Sequence, residues 1–153
     1  MKQSTCQHAT FVIERKYAAS PARVFAAWAD PAVKARWFNG PSAWLKEGYV
    51  LDFRVGGREH VRTGAPGGKM HQYDCSYQDI VPDARIVYSY DMHIGEARIS
   101  VSLATVEFQP DGGGTRMKFT EQAVFLDGYD DAGSRERGTA ELLGKLAAVL
   151  EEV

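Results

Sequence analysis

The C-terminal stretch constrains the rest of the chain most. From Ser134 onward it holds helix formers, no Pro, and apolar residues at Leu142, Leu143, Leu146, Val149, Leu150 and Val153, the three-and-four spacing of one helical face. A lone amphipathic helix needs a partner for that stripe. The apolar surface available lies between Tyr49 and Phe125, where the sequence alternates like β-strands, so the helix is expected to lie on a sheet. The expected fold is α+β: a curved antiparallel sheet of about seven strands around a long C-terminal helix, with two short helices after the first strand. Such a construction tends to enclose a cavity.

The elements follow from local signals. Thr10 to Tyr17 puts Phe11, Ile13 and Tyr17 on one face and Glu14 and Lys16 on the other, as in a half-buried first strand. Ser20-Pro21 and Asp30-Pro31 each read as N-cap plus first helical position. They start a helix through Val24, Phe25 and Trp28 and another over Ala32 to Phe38, stopped by Asn39-Gly40-Pro41. Tyr49, Leu51, Phe53 and Val55 then alternate, and Gly56-Gly57 turns the chain into Arg58 to Thr63. Gly64 to Gly68 is a loop. His71, Tyr73, Cys75 and Tyr77 share one strand face, and Ile86, Tyr88, Tyr90 and Met92 share the next, with a turn at Pro82-Asp83 between them. In Arg98 to Gln109 the apolar parity switches, which predicts a bulge or a strand wet on neither face. Asp111-Gly112-Gly113-Gly114 is a hairpin turn into Thr115 to Phe125, with Met117 and Phe119 inward.

Composition narrows the function classes. The 153 residues read as one domain, with residues 1–9 expected to be flexible. A hydrophobic fraction of 44% with 25% charged residues is that of a globular protein. A net charge of -2 without a basic stripe argues against nucleic acid. No apolar run is long enough to span a bilayer and Met1 to Thr10 lacks the core of a secretion signal, so a cytoplasmic protein is expected. Cys6 and Cys75 form no ligand or redox spacing and read as reduced thiols.

Each candidate site has a plainer reading. Trp28, Trp37, Phe38 and Trp44 either border a pocket or pack the short helices onto the sheet, and packing is preferred. Tyr73, Tyr77, Tyr88 and Tyr90 either touch a cavity or pack across strands with their hydroxyls at the rim. His60, His71 and His93 lie on separate strands without ligand spacing, so no metal and no cofactor is expected. Glu121 shares parity with Met117 and Phe119; inward, its carboxylate could act as an acid or base, but a hydrated carboxylate on a twisting strand is preferred. Cys75 reads as an inert core thiol. The glycine pairs follow strands without opening helices, which argues against a phosphate loop.

Three stretches also carry a resemblance: VFAAWADPAVKARWFNGP, TVEFQPDGGGTRMKFTEQ and LDGYDDAGSRERGTAELLGKLAAVLEE. Together they resemble the bacterial single-domain relatives of the activator of the heat-shock-protein-ninety ATPase, within the START-like (SRPBCC) helix-grip superfamily. The resemblance runs from Thr10 to Val153, and where members often carry Trp in the final helix this chain has Thr139. It implies a deep, mainly apolar cavity, used across relatives for lipid and hormone binding, aromatisation and cyclisation, and co-chaperone work.

Three function classes result. The leading one is binding of a small hydrophobic or aromatic molecule between the helix and the tyrosine-bearing strands, under a glycine-rich loop around Gly67. Its expected site is Trp37, Phe53, His71, Tyr73, Tyr77, Tyr88, Tyr90, Met92, Glu121, Leu142 and Leu146. The second is a co-chaperone role toward a heat-shock ATPase, weakened because the chain has no room for the second domain of the eukaryotic relatives. The third is a cyclase- or lyase-type enzyme, for which no residue constellation names a reaction. A monomer or homodimer, with neither nucleic acid nor membrane as partner, fits all three.

Overall fold

The computed structural model describes residues 4–152; Val153 and residues 1–3 lie outside the described residues. Strand β1 (Cys6–Tyr17) leads to helices α1 (Pro21–Ala29) and α2 (Pro31–Trp37). Strands β2 (Leu45–Leu51), β3 (Arg58–Gly64), β4 (His71–Val81), β5 (Arg85–Ile94), β6 (Ala97–Asp111) and β7 (Gly114–Leu126) follow, and helix α3 (Ala132–Leu150) comes last. All seven strands form one antiparallel sheet in the order β1-β7-β6-β5-β4-β3-β2. The expected helix-grip α+β architecture is the observed one.

The local signals explain the helices. The Ser20 side chain accepts the Arg23 amide at 3.3 Å, and Asp30 accepts the Ala32 amide at 2.9 Å, each immediately before a Pro at the first helical position. Asp131 caps α3 by accepting the Ser134 amide at 2.9 Å, so the helix begins at Ala132, two residues before Ser134.

Three strand readings are corrected. β1 starts at Cys6, because β7 runs on to Leu126 and pairs Cys6 to Ala9 as well; those four residues are ordered by a ladder that the N-terminal composition does not announce. β2 ends at Leu51, since the backbone from Asp52 to Gly57 is taken up by a local turn and by Tyr77: Asp52 N–H donates to Arg58, Gly57 N–H to Arg54, and Gly56 N–H to the Tyr77 carbonyl. In β6 the bulge falls at Ile99, where Met92 pairs Ser100 but His93 pairs Arg98. Beyond it Ser100, Ser102, Ala104, Val106 and Phe108 face inward, and Val101 and Leu103 face solvent, so the outer face of this strand is wet.

The Asp111–Gly114 turn behaves as read. Gly112 and Gly113 have φ of +57° and +88°, which the tight hairpin demands and only Gly adopts freely. A Cβ on Gly114 would lie 2.3 Å from the Tyr17 carbonyl oxygen, so Gly there also lets β1 end against the hairpin.

The core fills the concave side of the sheet. Phe11, Ile13, Tyr77, Ile86, Val106, Met117 and Phe119 meet Val24, Trp28 and Trp37 from the short helices and Leu143, Leu146 and Leu150 from α3. α3 packs most closely on α2, β1 and α1. Arg23 donates to the Glu152 carbonyl at 2.7 Å, and Arg36 pairs with the Glu152 carboxylate. The C-terminal half of α3 is therefore clamped, and its N-terminal half stands off the central strands.

Candidate functional site

That stand-off leaves a cavity of about 580 Å³ between α3 and strands β3, β4 and β5. Its wall is a run of rings in contact: Trp28 to Trp37 with centroids 4.8 Å apart, Trp37 to Phe38 at 6.0 Å, Phe38 to Tyr73 at 5.0 Å, Tyr73 to Tyr90 at 5.0 Å. The tyrosines converge because β4 and β5 pair Cys75 with Tyr90 and Tyr77 with Tyr88 on the concave face. Trp28 and Trp37 thus do both things considered for them: they pack the short helices, with the Trp37 indole donating to the Ala27 carbonyl at 2.9 Å, and they wall the cavity.

One end of the cavity is polar. Glu121 is fully buried, which corrects the preference for a hydrated carboxylate: β7 stays on the concave face at this position instead of twisting into solvent. Tyr90 Oη lies 2.8 and 2.7 Å from the two Glu121 oxygens and donates to that carboxylate, and Ser102 Oγ donates to Oε2 at 2.9 Å. Arg135 reaches in from α3. Its Nη1 donates to Tyr90 Oη at 2.9 Å and to Glu121 Oε2 at 3.3 Å, and its Nη2 to Ser100 Oγ at 2.7 Å and Asp130 Oδ2 at 3.1 Å. Burial, and then the Glu121 charge, raise the Tyr90 pKa well above the usual phenol range, so Tyr90 remains a neutral donor.

Of the expected site residues, Trp37, His71, Tyr73, Tyr88, Tyr90, Met92, Glu121 and Leu142 line the cavity. Phe53, Tyr77 and Leu146 do not. Phe53 follows the early end of β2 and packs edge-on against Phe25 at 5.6 Å and Tyr77 at 5.0 Å. Leu146 lies in the solid part of the core beneath the clamped half of α3. Tyr77 belongs to a separate buried cluster, in which Lys34 Nζ donates to Glu59 Oε1 at 2.6 Å and Tyr77 Oη donates to the same oxygen at 2.8 Å. Rings of Trp28, Phe38, Tyr77 and Tyr88 surround this ammonium, 4.6 Å from the Phe38 centroid at the closest. The rim is formed by Asn39, Gly40 and Pro41 in place of the loop around Gly67, because the α2–β2 connection, and not the β3–β4 one, crosses in front of α3.

Arg135, Asp130, Ser100, Ser102, Lys34 and Glu59 escape a reading of the sequence. A signal existed for two of them: counting back one heptad from Leu142 reaches Arg135, on the same helical face, and the even parity of Ala104, Val106 and Phe108 extends back to Ser102. No comparable signal marks Lys34, one of two cations, with Arg36, in the short helix α2.

The remaining titratable groups separate. His71 lines the cavity beside the Trp44 ring at 4.9 Å, whereas His60 is on the convex face with Nδ1 2.6 Å from Asp74 Oδ1. Among the described residues no His, Cys, Asp or Glu cluster is arranged to hold a metal ion. Burial pushes the Cys75 thiol up to about 12, and both cysteines are free. No helix among the described residues is long and apolar enough to cross a membrane.

A sheet curved around one long C-terminal helix, with a ring-walled cavity between them, defines a START-like helix-grip protein. Within that class the chain belongs to the family of Activator of Hsp90 ATPase homolog 1-like proteins, whose model matches residues 18–151. It is similar to an uncharacterised protein from Rhizobium leguminosarum, with 50% identity over 97% of this chain and 98% of that one and a TM-score of 0.92. The Mll3558 protein of Rhizobium loti is 49% identical over 95% of this chain and 99% of that one, with a TM-score of 0.88. CV1439 of Chromobacterium violaceum is 25% identical over 94% and 98% of the two chains, with a TM-score of 0.78. No curated protein matches the chain.

Proposed function

We propose that the chain binds a small hydrophobic or aromatic molecule in the cavity between α3 and strands β3 to β5, acting as a cytoplasmic binding protein. The observation that carries this reading is the cavity itself: about 580 Å³ walled by Trp37, Phe38, Tyr73, Tyr88 and Tyr90, with hydrogen-bonding groups gathered at one end. That combination of an apolar body and few polar groups is what small-molecule sites have in common.

A thermal melt against steroids, flavonoids, fatty acids and polyketide-like aromatics tests it. A ligand at about 100 times its dissociation constant should add on the order of 2.7 kcal/mol to stability, and polar control compounds should add nothing. Thr139 lines the cavity from α3, so Thr139→Trp should fill space there and weaken binding while the protein still folds. No shift with any member of the panel would overturn the proposal and favour a protein-interaction role toward a heat-shock ATPase.

A further inference from the structure

Resting on that reading, the geometry points to a ligand class: we infer that the cavity takes an apolar molecule bearing one carboxylate, whose carboxylate meets the Lys145 ammonium at the rim. The cations around the cavity are not equivalent. Arg135 already holds Glu121 and Asp130 at 3.3 and 3.1 Å, so an anion brought to that end would face two carboxylates sharing one guanidinium. Lys34 is sealed behind the ring wall and holds Glu59 at 2.6 Å. Lys145 lines the cavity and, among the described residues, takes part in none of the ion pairs.

Its partners are three uncharged oxygens on the rim. Nζ donates to the Asn39 carbonyl at 3.1 Å and to Asn39 Oδ1 at 3.0 Å, with the Gly40 carbonyl at 3.5 Å, the outer limit of a hydrogen bond. The third N–H is thus weakly committed and can turn to a stronger acceptor. Lys145 also lies ten residues after Arg135, which on a helix is roughly 15 Å along the axis. The cavity is therefore electrically polarised: at the Arg135 end two carboxylates share one guanidinium, whereas at the other end Glu141, one turn before Lys145, also lines the cavity but forms no ion pair with it, so the Lys145 ammonium is left to take an anion, and the rings lie between. An amphiphile with its acid at the Lys145 end and its body along Tyr73 and Tyr88 meets both demands, and the reverse orientation places like charges together.

The test compares 1-naphthaleneacetate with 1-naphthaleneacetamide, which share a ring system and differ in charge, by calorimetric titration at neutral pH. The expected result is acetate binding about tenfold tighter than the amide, the scale of one charge-assisted hydrogen bond at a half-exposed site, with the difference shrinking as salt rises. Lys145→Met should bring the acetate-to-amide affinity ratio to about one, and Lys145→Arg should restore it; the ratio is the readout because the rim loses its bonds from Lys145 for both compounds alike. Equal affinities, or a preference that survives Lys145→Met, overturn the inference and leave the cavity reading intact. Binding of neither compound, joined by a silent broad panel in the melt, overturns both.

Discussion

Glu121 and Arg135 form the most consequential side-chain pair at the cavity. Both are withdrawn from solvent, with side-chain exposures of 0% and 10%, so Glu121 depends on Arg135 as its counter-ion, and Arg135 without Glu121 keeps only Asp130. Glu121→Ala should destabilise by about 3–5 kcal/mol in denaturant unfolding, the range for breaking a buried pair from one side. The double variant Glu121→Leu with Arg135→Met should lose much less than the sum of the two single changes, because no fully buried charge is left without its partner, and Asp130, which also loses Arg135, is partly exposed to water; additive losses would show that the two groups do not act together. His71 sets a pH dependence. Burial lowers its pKa below the ordinary imidazole value against the opposing pull of Asp130, so the unfolded chain takes up a proton before the folded one does. This contribution to stability is fully present above about pH 6.5 and is lost as pH falls from there toward the lower folded pKa. His71→Phe should flatten that part of a stability-against-pH curve; an unchanged slope there would assign it to other groups.

At the scale of elements, α3 is two half-helices with different duties. Leu146 is fully buried and fills the clamped half, so Leu146→Ala should lose about 2–5 kcal/mol. Leu142, one turn earlier, is half-exposed to the cavity and already lacks neighbours on that side; Leu142→Ala should cost clearly less in the same unfolding experiment. Equal costs would mean that the cavity closes around Leu142 in solution. The stripe that reveals α3 in the sequence cannot distinguish these halves, since periodicity reports which face is inward and not how far away the opposing wall is. The same limit separates the other elements. Phe11, Ile13 and Tyr17, both Pro-initiated helices and the Gly112-Gly113 turn are legible because each rests on a local rule. Glu121, Ser102 and Lys34 are illegible as a site because their partners, Arg135, Tyr90 and Glu59, arrive from distant strands and helices, and parity alone does not tell a paired buried charge from a hydrated one.

For the molecule as a whole, the seven-strand count, the order of elements and the lone closing helix follow from sequence, and so does the existence of a space beneath that helix. The position of that space does not. It follows from where α3 is tied down, by Arg23 and Arg36 on Glu152 and by the Tyr17 hydroxyl on the Leu143 carbonyl, contacts between residues far apart in the chain. The strand order carries one more consequence. Strands β2 to β7 each pair with their neighbour in sequence, but β1 pairs only with β7, so β1 has no partner until synthesis reaches Thr115, and its full ladder waits for Leu126. For most of synthesis its row of amides and carbonyls stays open, and a chain released before Gly114 would present both β1 and β6 as unpaired edges, the arrangement most prone to joining copies of itself.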